Sequence, residues 1–203
     1  MTRGPRIDNE ILLQAGLDLM KQNGKPLSKR FSAGRSMMYD LESGETVRVR
    51  TCNDHILIVL GDKPSGDAKL NIEGTDWLLI VMPEIERTPG KVIAYLVPTK
   101  VAADAARQTH NDWLATEPNT KGSNTTWNLW FREDGPQKAN DFARKWSAYR
   151  LAGNSDTTQP VVATPSASNS KPTVGPLTMA EAKKGLALTF NVPPEAIEIT
   201  IRG

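Results

Sequence analysis

Arg48 and Arg50 stand two residues apart in Val47-Arg-Val-Arg-Thr51. Read as a strand, this segment puts both guanidiniums on one face and Val47, Val49 and Thr51 on the other. A guanidinium stays protonated at physiological pH, so neither arginine can act as a base; the pair is suited to holding an anion. Cations precede it: Lys21, Lys25, Lys29, Arg30 and Arg35 follow one another with no acid between. Lys29, Arg30, Arg35, Arg48 and Arg50 therefore form a candidate nucleic-acid-binding set. Contacts of this kind go to phosphates and give affinity and salt dependence without reading sequence. Two plainer arrangements stand beside it. The basic run is a solvated loop, or the two arginines pair with Asp40, Glu42 or Glu45 across a hairpin.

The other reactive side chains make no complete catalytic set, and no catalytic residue is assigned. His55 and His110, the only histidines, have no ligand spacing to each other or to Cys52, so no metal is expected. Cys52 is the single cysteine, cannot form an internal disulfide, and reads as a small buried residue after a strand. There is no Gly-rich phosphate loop and no nucleophile elbow, and no cofactor is expected. Thr109-His110-Asn111-Asp112-Trp113 is a polar cluster that either lines a site or closes a helix end. Trp127 and Trp130 can stack on bases, but on a strand they point to opposite faces, which places at least one in the core.

Composition sets the frame for these residues. The chain has 203 residues, 25 basic and 23 acidic, for a net charge of +2, too balanced to announce nucleic-acid binding by itself. Hydrophobic residues make up 38%, enough for one sizeable core. No apolar run approaches the roughly 18 residues that span a bilayer, and Met1–Glu10 lacks the apolar stretch of a signal peptide. A cytoplasmic protein with no membrane partner is the expectation.

Helical spacing of Ile11, Leu12, Ala15, Leu19 and Met20 predicts a helix over Ile7 to Gln22, capped by Asp8. Lys25 to Arg35 reads as loop or weak strand. Met37–Leu41 and Thr46–Thr51 read as a hairpin, and His55–Leu60 as a further strand. Asp76–Met82 and Lys91–Val97 are continuous apolar runs, as in central strands covered on both faces, and the short connection makes them an antiparallel pair. A helix over Lys100–Gln108 with Thr99 as cap, a loop over Asn111–Asn124, a strand over Thr126–Phe131 and a helix from Pro136 to about Leu151 complete a domain of residues 1–152.

Residues 153–176 hold four Pro, four Ser and four Thr. A segment so poor in large apolar groups is expected to be a disordered linker. Beyond it, Thr178 and Glu181 form a capping box for a helix reaching about Phe190, and Ile197-Glu-Ile-Thr-Ile201 alternates as a strand does. Leu186, Ala187, Phe190, Asn191 and Ile197 also resemble the first half of a helix-turn-helix, though strict alternation at Ile197–Ile201 favours a strand. Residues 177–203 are too few to hold a core alone. This helix–strand segment is expected to dock on the main domain, self-associate or fold on a protein partner.

The order helix, hairpin, strands, helix, strand resembles the core of the PD-(D/E)XK nuclease superfamily. Glu10 lies on the first helix, Asp40 ends a hairpin strand where that family keeps a metal-binding aspartate, and Val47–Thr51 looks like its strand bearing (E/Q)-x-K. Asp76–Pro98 looks like the paired strands that follow this core in several bacterial members. The resemblance covers about residues 5 to 110 and implies an α/β (α+β) fold, a mixed central sheet flanked by helices with a restriction-endonuclease-like core. It also implies lost catalysis, because Arg48 stands where the second metal-binding acid belongs and Arg50 where the lysine belongs. The leading expectation is a non-enzymatic DNA-binding or regulatory protein. A protein-interaction module acting through 177–203 comes next, then a metal-dependent nuclease whose acids come from Asp40, Glu42, Glu45, Asp54 and Glu73.

Overall fold

A computed structural model describes residues 4–30, 37–64, 67–116, 125–132 and 141–158, together with Lys183. The chain divides into two units, residues 1–162 and 163–203. All but one of the described residues belong to the first unit. Arg35, most of the linker and the tail calls from Thr178 to Ile201 lie outside the described residues, Lys183 excepted.

The first unit is mixed α/β. A six-stranded sheet runs β1 (Leu27–Lys29), β2 (Met38–Leu41), β3 (Thr46–Thr51), β5 (Trp77–Pro83), β6 (Lys91–Pro98) and β8 (Ser155–Asp156) in spatial order. Only β3 and β5 pair in parallel; the other neighbours are antiparallel. A separate two-stranded sheet joins β4 (Ile56–Leu60) to β7 (Thr126–Trp130). Among the described residues of this unit three α-helices accompany them: α1 (Asn9–Gln22), α2 (Thr99–Thr116) and the single turn α3 (Phe142–Lys145). No helix among the described residues is long and apolar enough to cross a membrane.

Strand β5 divides the interior. Its residues alternate between two cores, which is why the sequence there is apolar without a break. Leu79 and Val81 join Val47 and Val49 of β3 and Leu12, Ala15, Leu19 and Met20 of α1. Leu78, Ile80 and Met82 join Leu57 and Val59 of β4, Trp127 and Leu129 of β7 and the alanines of α2. Helix α1 thus covers one face of the large sheet, while the small sheet and α2 cover the other. Asp8 caps α1 as its sequence predicts, its carboxylate accepting from the Glu10 amide at 2.7 Å.

Several elements differ from expectation. Helix α2 continues to Thr116, into the first part of the stretch read as loop, because Thr109 and His110 are buried and His110 stacks on Trp127 with ring centroids 4.3 Å apart; residues 117–124 lie outside the described residues. The polar cluster is thus a packed helical turn. Helix α3 starts at Phe142, where Asp141 caps it by accepting from the Ala143 amide at 3.0 Å, and a 3₁₀ turn at Ser147–Tyr149 ends it. Ordered structure runs past residue 152, since Ser155 and Asp156 pair with Val92 and Lys91 at the sheet edge.

Gly16 marks the closest approach of α1 to the sheet: a Cβ there would lie 2.5 Å from Val81 Cγ2. Gly16→Ala is expected to destabilise the fold by about 1–3 kcal/mol through overpacking, read as a lower urea midpoint. Combined with Val81→Ala, it should cost less than the two single changes added together. A Gly16→Ala variant as stable as wild type contradicts this packing.

Candidate functional site

Alternation along β3 builds the site. Val47 and Val49 are buried against α1, so Arg48 and Arg50 emerge on the opposite face. Register places Arg48 between Met38 and Leu78, and Arg50 beside Ile80. Asp40, two residues from Met38, lies on the same face, and Arg30 Nε reaches its Oδ1 at 3.6 Å. Arg30, Arg48 and Arg50 of the expected cationic set are therefore brought to one face. Lys29 opposes Tyr39, whose side chain is in the α1 core, so alternation sends Lys29 to the other face.

The expected pairing of the two arginines with hairpin acids does not form. Asp40 pairs with Arg30, and Glu45 accepts from Ser43 at 2.8 Å and from the Trp77 indole at 3.0 Å. Arg48 instead donates through Nη2 to the Glu73 carbonyl at 3.4 Å, and Arg50 through Nη2 to the Ile58 carbonyl at 2.9 Å. Among the described residues neither guanidinium has a carboxylate within 4.0 Å. The buried Nε of Arg48 has no hydrogen-bond partner. Burial first, and then the charge of Arg50, hold Arg48 below the ordinary arginine range.

Arg50 opens on a groove of about 510 Å³ between the N-terminal segment, the end of β3 and the start of β4. Arg6, Asp8, Asn9, Asn53, Asp54 and Ile58 share its lining. Asn53 fixes one wall: its Oδ1 accepts from the Ile7 amide at 2.8 Å and its Nδ2 donates to the Ile7 carbonyl at 3.0 Å. Asp54 fixes the mouth, paired with Arg87 and, at 3.1 Å, with Arg6. Both His55 and Arg87 take left-handed backbone, at φ 50° and 54°. The His55 Nε2 lies 2.6 Å from the Pro83 carbonyl and so carries the proton that it donates.

This groove was not legible in the sequence, because its walls come from three segments whose only common signal is the polar run Asn53-Asp54-His55 after a strand. Trp127 is buried and Trp130 half-buried on the outward face of β7, as strand geometry requires. The acids are dispersed. Glu10 rides on α1, across the sheet from Asp40, and Glu73 is held by Arg107 at 2.7 Å. No three His, Cys, Asp or Glu residues among the described ones converge to hold a metal.

Comparison with protein-family models, curated proteins and solved structures gives no match to this chain.

Asp54 supplies a pH test. The Arg87 hydrogen bond above all, with Arg6 behind it, holds its carboxyl below the usual carboxylate range. A depressed folded-state value adds stability that is complete above the unfolded value of about 3.9 and disappears as pH falls through the folded one. The stability gap between wild type and Asp54→Asn should hold steady at neutral pH and shrink below about pH 4. Urea midpoints across pH decide it, and a gap that ignores pH contradicts the role. Cys52 gives another test: burial pushes its thiol up to about 12. A thiol-specific disulfide reagent at mildly alkaline pH should label it only after urea is added.

Proposed function

We propose that this chain is a non-enzymatic nucleic-acid-binding protein whose contact surface is the arginine face of β3. One observation carries the reading: Arg48 and Arg50 lie side by side, tied to backbone carbonyls, with no carboxylate of the described residues within ion-pair distance. Carbonyls orient a guanidinium and leave its charge uncancelled, and two like charges so held are suited to a phosphate. Arg50 opens onto the groove and makes the contact, while Arg48 strengthens the field from behind it.

The resemblance to a degenerate PD-(D/E)XK nuclease core belongs to the same reading. Asp40, Arg48 and Arg50 share a face, as that likeness requires, and the acids a nuclease would need are each engaged elsewhere or apart. A single, buried cysteine suits a reducing cytoplasm.

Gel-shift titration of the full chain tests this. Binding should weaken steeply from low to moderate salt. Arg50→Gln should reduce affinity for all sequences alike and lower the salt slope by about one. Asp40→Asn, which frees Arg30, should not weaken binding. Failure to retard any single strand or duplex at low salt overturns the proposal, as does Mg²⁺-dependent cleavage that Asp40→Asn abolishes.

A further inference from the structure

The outward face of the small sheet carries an apolar strip. Odd-numbered residues of β4 pack inward, so Ile56, Ile58 and Leu60 point out, opposite Trp130, Asn128 and Thr126 of β7. Ile58 and Leu60 are 47% and 45% exposed, against complete burial of the alternate residues Leu57 and Val59. Isolated exposed apolar residues are ordinary on any surface; a row of them along one strand edge is not. Charge lies at the middle of the row and at one end. At Ile58 the Arg50 guanidinium reaches the strand backbone, and at the Ile56–Trp130 end the Arg132 guanidinium lies 4.9 Å from the Trp130 ring centroid while pairing with Glu86 at 2.9 Å.

From this juxtaposition we infer that the ligand of the arginine face is a single-stranded nucleic acid, its phosphates at Arg50 and its unpaired bases on Ile58, Leu60 and Trp130. The inference rests on the nucleic-acid reading above and adds the strandedness. A duplex turns its phosphates outward and hides the flat faces of its bases, so it satisfies Arg50 and leaves the apolar strip facing water. An unpaired strand satisfies both, because every base has an apolar face to lay on a platform while its phosphates meet Arg50. Spacing agrees. Alternate side chains of a strand stand about 6.7 Å apart, roughly twice the 3.4 Å step of stacked bases, which suits bases pulled out of a stack. Neither surface reads base identity, so the preference is for strandedness over sequence. DNA and RNA strands share this chemistry.

Fluorescence anisotropy with the full chain tests it, using labelled oligo(dT), oligo(rU) and a hairpin duplex at one salt concentration. One or both single strands should bind at least about tenfold tighter than the duplex. The double change Ile58→Ser, Leu60→Ser should weaken single-strand binding by roughly tenfold or more and duplex binding much less. Both positions are exposed, and an unchanged circular dichroism spectrum verifies the fold. Equal affinity for strand and duplex, or single-strand binding that the double change leaves intact, overturns the inference while the arginine face keeps its nucleic-acid role. Binding to none of the three probes overturns both. A concentration-dependent mass in light scattering that the double change abolishes overturns the inference in favour of a contact between copies of this chain.

Discussion

Two-sided burial of β5 is the constraint on which the rest of this structure depends. Six of its seven residues are buried, and Leu78 to Met82 alternate between a core shared with α1 and a core shared with α2 and the small sheet. A strand covered on both faces has no freedom to slip, because a one-residue shift would exchange its two sets of side chains. Parallel pairing with β3 transmits that fixed register: Val47 and Val49 go beneath α1, and Arg48 and Arg50 must emerge on the far side. The face on which the arginines stand is thus decided by their neighbours. The valines have somewhere dry to go, and the arginines take what remains.

Charge on that face is distributed unevenly, and the unevenness is informative. Asp40, Asp54 and Glu73 each have a cation in contact, whereas Arg48 and Arg50 face carbonyls. Like charges about 7 Å apart repel by on the order of 2 kcal/mol in a near-surface dielectric. A fold that needed only stability would set an acid between them, and the hairpin turn holds two, Glu42 and Glu45. Glu45 instead turns to Ser43 and Trp77. Under the nucleic-acid proposal, a phosphate at Arg50 would relieve this repulsion.

Much of this was legible in the sequence where the signal is local. The hairpin, the α1 cap, the apolar β5–β6 pair and the common face of Arg48 and Arg50 all follow from spacing. What escaped depends on partners distant in the chain. Ile56–Leu60 reads as a strand, but nothing in it says that it leaves the main sheet to pair with Thr126–Trp130. Thr109 and His110 look like a helix end until Trp127 lies against the imidazole. Ser155–Asp156 has a linker's composition and becomes a strand only because Lys91 and Val92 offer an edge. The partners of the arginines, carbonyls of residues 58 and 73, were illegible for the same reason.

The location of the small sheet connects these points. β4 leaves β3 through the tight corner Cys52–His55, where Asn53 grips Ile7 and His55 takes left-handed backbone. That corner sets the angle at which β4 departs, and so brings the Ile58 carbonyl within reach of Arg50. Folding β4 back across the arginine face orients the Arg50 guanidinium through the Ile58 carbonyl and leaves it lining the groove. Asn53 and His55 hold the turn from which Arg50 takes its geometry, through their bonds to Ile7 and Pro83.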